Sequence, residues 1–300
     1  MSEKQEERKE AVPDEAELFA RHRHETFDRM MEDVKSLSYE VVDLRKEAGF
    51  TARLAVKKAR VGEKRGMLIV CAGGGFRFKS WNEALPVAEF FFEKGINAAI
   101  LDYHVKKEGY TGLDPETMRM AGKDGLEAVR YLRANADAYR ILPDHIAIGG
   151  FSAGGMLSGY AATRFDEGDP SSPDRVKRAS SRPDAALILY GAFSRTSSVP
   201  SFPGGLTREQ IAEEARMDNV RNLRPGCPPM FVFQTHEDDP RIGLNFCTEL
   251  ANFGIPFEIH TFERGAHGGA LYNGRDETPD EPHTALWAPV AADWLLMRGF

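Results

Sequence analysis

Four short stretches of the chain hold residue types that could do chemistry together. Gly150-Phe151-Ser152-Ala153-Gly154 stands between the apolar run HIAIGG (145–150) and a helical pattern. A serine on such a strand-to-helix turn is lifted above a sheet, its hydroxyl exposed over a helix N-terminus, which suits a nucleophile; the competing reading is a structural glycine-rich turn. Ala72-Gly73-Gly74-Gly75-Phe76 directly follows the run MLIVC (67–71). Unhindered N–H groups at that turn can donate to the oxyanion formed when a carbonyl is attacked. A phosphate loop would need Gly-Lys-Ser/Thr and a dinucleotide fingerprint Gly-x-Gly-x-x-Gly, and neither is written here. His267, in ERGAHGG (263–269), follows the run PFEIHTF (256–262), from where it can reach a serine hydroxyl as general base. THEDDP (235–240) follows PMFVFQ and offers Asp238 and Asp239 as the carboxylate that orients the imidazole. Neighbouring side chains in extended chain point to opposite sides, so the two cannot face His267 equally. Pro240 biases Asp239 towards extended backbone and restricts its aim. The order serine, aspartate, histidine differs from that of the chymotrypsin and subtilisin folds. Together these residues predict acyl transfer: Ser152 attacks, His267 carries the proton, and water releases the acyl group.

The rest of the chain narrows the alternatives. The net charge is −7, and the basic pairs Lys57-Lys58 and Lys106-Lys107 are short and interrupted, which gives no reason to expect a nucleic-acid partner. His22 and His24 alternate with arginines and read as a solvated face; His104, His145, His236, His260 and His283 read as packing or surface residues. A metal centre needs clustered ligands, and the nearest approach is His236-Glu-Asp-Asp239, so no metal and no organic cofactor are expected. Cys71, Cys227 and Cys247 cannot all pair within one chain. Reduced thiols, a charged N-terminus without an apolar signal core, and no apolar run of about 18 residues predict a cytoplasmic protein with no membrane segment.

Positioning these residues requires a scaffold, and the hydrophobic pattern supplies one. Residues 38–44, 51–59, 67–71, 97–103, 145–150, 184–190, 229–234 and 256–262 read as strands. Helical patterns cover about 13–34, 82–93, 115–136, 152–163, 241–253 and 284–298. Strands alternating with helices predict an α/β fold, a mainly parallel sheet of about eight strands with helices on both faces. We expect a charged, partly helical extension over 1–35 and one domain over 36–300. The long connection 191–228 is a candidate lid or binding loop, with a short helix from Thr207 to Met217 opened by a Thr207/Gln210 capping pattern.

The stretches LIVCAGGGFRFKSWNEALPVAEFFFEKGINAAILDYHV, GLEAVRYLRANADAYRILPDHIAIGGFSAGGMLSGYAA, PPMFVFQTHEDDP and IPFEIHTFERGAHGGAL resemble the α/β-hydrolase esterases related to acetyl-xylan and acetyl-oligosaccharide esterases, over about residues 66–300. The resemblance implies Ser152 as nucleophile, His267 as base and Asp239, the aspartate directly before proline, as acid. It further implies Gly73, Gly74 and Ala153 as backbone oxyanion donors. The substrate it implies is a small-molecule ester, a short (acetyl) ester of a sugar or similar small alcohol. The chain departs from the group at Ala72, at Gly268-Gly269-Ala270, and at Arg241, where relatives are usually apolar. Two rivals stand beside this reading: a serine peptidase of the same fold, for which 300 residues leave no room for a gating domain, and a binding protein that has lost catalysis, against which the full serine, aspartate and histidine set speaks.

Overall fold

The computed structural model describes residues 15–57, 62, 64–107, 114–192 and 218–300. Residues 193–217, including the short helix expected from Thr207 to Met217, lie outside the described residues, so the candidate lid is described only at its two ends.

Eight strands form one sheet: β1 (Tyr39–Glu47), β2 (Phe50–Lys57), β3 (Arg65–Cys71), β4 (Asn97–Asp102), β5 (Ile141–Phe151), β6 (Ala185–Leu189), β7 (Met230–Thr235) and β8 (Phe257–Phe262). Their order is β1-β2-β4-β3-β5-β6-β7-β8. β1 and β2 pair antiparallel, as do β2 and β4, while β4, β3, β5, β6, β7 and β8 run parallel. Each run expected as a strand is one, with β5 beginning at Ile141 rather than at His145. All residues of β4, β6 and β7 are buried, as expected of strands covered on both faces.

Among the described residues the helices are α1 (Glu15–Asp33), α2 (Leu85–Glu93), α3 (Pro115–Ala134), the single turn α4 (Ala136–Tyr139), α5 (Ala153–Thr163), the single turn α6 (Arg175–Arg178), α7 (Arg241–Asn252) and α8 (Trp287–Met297). Local signals start α3: the Asp114 carboxylate accepts the Thr117 N–H at 3.1 Å, and Pro115 occupies the first turn, where a missing N–H costs nothing. Alternation along the strands sends side chains into two cores. Met67, Ile69 and Cys71 of β3 join Val129 and Leu132 of α3, Leu157 of α5 and Phe246 of α7. Leu68 and Val70 join Phe91 of α2, Trp287 and Leu295 of α8, Phe27 and Met31 of α1, and Val34 directly after α1. The C-terminal half of α1 is therefore part of the core, with Phe27 and Met31, and Val34 just past its end, fully buried. Among the described residues no helix is long and apolar enough to cross a membrane.

Candidate active site

The site lies at the C-terminal ends of β3, β5, β6, β7 and β8, where loops can converge while the strands stay fixed. Ser152 follows the last residue of β5 and precedes α5. Its backbone is strained, with φ 50° and ψ −116°, conformations that side chains other than glycine rarely adopt. The turn holds because its N–H donates to the Leu189 carbonyl at 3.0 Å and its carbonyl accepts the Met156 N–H at 2.9 Å. Gly154 must lack a side chain there, since a Cβ would fall 2.0 Å from the Cys71 carbonyl oxygen. The Ser152 hydroxyl makes no cap bond to its own helix and is left to the loop opposite.

That loop is the one after β8. Thr235 Oγ1 donates to the Gly265 carbonyl at 2.5 Å, the Glu237 carboxylate accepts the Gly265 N–H at 2.9 Å, and Tyr272 Oη donates to the Ala266 carbonyl at 2.7 Å. So held, His267 presents Nε2 at 2.8 Å from Ser152 Oγ and Nδ1 at 2.6 Å from Asp238 Oδ2. Its ring lies 4.9 Å from that of Tyr190. Burial of the ring works against the charged imidazolium. The hydrogen bond and charge of Asp238, with Glu83 adding to them, outweigh burial and raise the pKa above the usual histidine value.

The carboxylate beside His267 thus belongs to Asp238, and the expectation of Asp239 is corrected. Despite Pro240, Asp239 is not extended; its φ is 52°, in the left-handed region. Its carboxylate turns to Arg241 at the start of α7, accepting from Nε at 2.7 Å and Nη2 at 2.6 Å. Arg241, the cation that departs from the usually apolar position of the resembling esterases, takes up both oxygens of Asp239. Asp238 is held from the other side by Gln234 of β7, whose Nε2 donates to Oδ2 at 3.1 Å.

The glycine loop also differs from expectation at one residue. The Gly73 N–H donates to Glu83 Oε2 at 2.7 Å, so a carboxylate already occupies this donor. Among the described residues the N–H groups of Gly74 and Ala153 have no such partner; Ala153 opens α5, where the first N–H groups lack intrahelical acceptors. Gly74 has φ +131°, and a Cβ on it would fall 2.3 Å from the Phe78 carbonyl oxygen. Arg77 and Phe78 N–H both donate to the Gly74 carbonyl, and Tyr103 Oη supports the loop from beneath by donating to the Ala72 carbonyl at 2.6 Å.

Gln234, Glu83 and Tyr190 were not expected in the site. Tyr190 had a signal, its place just past a buried parallel strand, where sites in open α/β sheets gather. Glu83 and Gln234 had none, because their roles depend on loops distant in sequence. Of the other histidines, His22 is exposed, but His24 is half-buried and burial lowers its pKa to about 4, so it is neutral at pH 7 and not a solvated cation.

Comparison with known proteins places the fold. The BD-FAE family model matches residues 56–188. Endo-1,4-beta-xylanase B of Butyrivibrio fibrisolvens is 29% identical over 218 residues, 70% of this chain and 33% of the relative, so the chain spans about a third of that curated relative's length. The acetyl ester-xyloside bifunctional hydrolase of Caldicellulosiruptor lactoaceticus superposes with a TM-score of 0.72 at 25% identity, over 87% of this chain and 97% of the other. MGS-M1, an alpha/beta hydrolase enzyme from a Medee basin deep-sea metagenome library, has a TM-score of 0.60 at 30% identity, over 86% of this chain and 96% of the other. The eight-stranded, mostly parallel sheet with helices on both faces is the fold these proteins share. The chain belongs to the α/β-hydrolase esterase family.

Proposed function

We propose that the protein hydrolyses short-chain carboxylic esters, acetyl esters of saccharides or similar small alcohols, through an acyl-enzyme on Ser152. The observation that carries this reading is the position of His267, with one ring nitrogen 2.8 Å from the Ser152 hydroxyl and the other 2.6 Å from Asp238. His267 takes the proton of Ser152 as Oγ attacks the ester carbonyl. Asp238 keeps the Nδ1 proton in place and stabilises the imidazolium that forms. The N–H groups of Gly74 and Ala153 are the donors available to the developing oxyanion. His267 then protonates the leaving alcohol, and water repeats the sequence on the acyl group. The alcohol side rests on the neighbours: one is named for acetyl ester and xyloside hydrolysis, another is a xylanase.

An organophosphonate probe followed by peptide mass analysis tests the chemistry. Its mass should appear on the peptide carrying Ser152 and on no other, and Ser152→Ala should abolish both labelling and turnover. Labelling elsewhere, or a Ser152→Ala variant with unchanged turnover, defeats the reading. Nitrophenyl esters of increasing chain length, followed by acetylated xylo-oligosaccharides, test the substrate; a preference for long acyl chains would defeat the acetyl assignment.

A further inference from the structure

Glu83 lies in the turn before α2, is 2% exposed, and has no part in the acyl-transfer steps above. Its two oxygens nevertheless reach two of the loops that build the site. Oε2 accepts the Gly73 N–H at 2.7 Å, and Oε1 accepts the Tyr190 hydroxyl at 2.7 Å. The Tyr190 oxygen in turn accepts the N–H of Ala270 at 3.1 Å, three residues beyond His267, and the Ala270 carbonyl accepts Trp287 Nε1 at 2.9 Å. One buried acid so connects the loop after β3, the end of β6 and the loop after β8. It also sits against the nucleophile's turn: a Cβ built on Gly73 would fall 2.6 Å from Glu83 Oε2 and 3.0 Å from Ser152 Cβ.

A carboxyl group is a costly way to fill space in a core, where apolar residues of similar volume serve as well or better. Its chemical advantage here is two acceptor oxygens on one rigid plane, each taking a donor from a different loop. We propose that Glu83 is a positioning residue for ester hydrolysis. Through Gly73 it sets the course of the oxyanion loop, leaving the Gly74 N–H unengaged, and through Tyr190 it holds the segment that follows His267. This inference rests on the proposed roles of Ser152 and His267. The groups that face Glu83 are Tyr190, His267 and Arg23 of α1, and its charge also reaches Tyr103 and Tyr272. Burial pushes the Glu83 carboxyl up, opposed by the Tyr190 and Gly73 hydrogen bonds and by the nearby His267 and Arg23. Its negative charge favours the imidazolium form of His267.

Glu83→Gln tests the role, since an amide keeps the volume but cannot accept from both Gly73 and Tyr190. In full-length protein shown by circular dichroism to be folded, kcat on a nitrophenyl acetate should fall by about 10- to 100-fold, the scale of a misplaced catalytic group. KM should stay within about threefold, because ground-state binding is untouched. The acid limb of kcat/KM should move to lower pH, since one of the negative charges facing the imidazole is gone. Tyr190→Phe, which keeps Glu83 but removes the link to Ala270, should lower kcat by about tenfold and serves if Glu83→Gln does not fold. A folded variant that keeps kcat within about twofold, or whose loss lies in KM with the acid limb unmoved, overturns the inference. Wild-type enzyme that turns over and labels at Ser152 while Glu83→Gln is unimpaired defeats this inference alone. Wild-type enzyme that fails to label at Ser152 defeats the reading beneath it.

Discussion

Replacing Asp238 by asparagine should lower kcat/KM by about 10², and the structure explains why the loss is neither smaller nor much larger. Asp238 Oδ2 lies 2.6 Å from His267 Nδ1 and also accepts from Gln234 Nε2 at 3.1 Å. An asparagine can offer that place either its NH₂ or its carbonyl oxygen. The NH₂ would force Nδ1 to accept and put the imidazole proton on Nε2, where the lone pair must meet Ser152; in one serine protease this wrong tautomer costs on the order of 10⁴. Gln234 selects against it, because its own N–H would then face another donor. With the carbonyl in place the tautomer survives, and the charge-assisted part of the bond is lost, roughly 1.5–3 kcal/mol or about 10- to 150-fold. Asp239→Asn should stay within about threefold, because its partner Arg241 is exposed and surface pairs of this kind contribute little. The assay is nitrophenyl acetate hydrolysis, normalised to active sites by phosphonate titration. If Asp239→Asn falls as far as Asp238→Asn, or Asp238→Asn stays within about threefold of wild type, the assignment of the acid from this geometry is refuted.

Two further outcomes follow from the same structure. Since Asp238 and Glu83 raise the His267 pKa above 6.5, and the base must be neutral, kcat/KM should fall as pH drops through a value above 6.5; a pH–rate profile with its acid limb below that value would contradict it. Phe27→Ala, which empties a fully buried place where α1 meets the sheet, should cost about 3–5 kcal/mol of stability in urea unfolding, whereas an extension merely resting on the surface would lose little.

Residues whose role depends on their own short stretch were legible in the sequence. Alternation announced β1 and β2 and apolar runs the other strands, because burial on both faces leaves few polar positions in β4, β6 and β7. Ser152 and His267 each directly follow such a run or lie a few residues past it, and parallel strands end on one side of a sheet, so their meeting was implied by chain order. The choice between Asp238 and Asp239 was not implied. It turns on a left-handed Asp239, on Arg241 claiming that carboxylate, and on Gln234 holding the other. Likewise nothing local told Gly73 from Gly74; Glu83, ten residues on, takes the first N–H, and Tyr190, a further 107 residues away, takes the other oxygen. Periodicity reports which face of an element is buried, and that is decided within a few residues. The direction of a single side chain or N–H at a loop is decided by its strongest available partner, and only tertiary structure brings such partners within reach of one another.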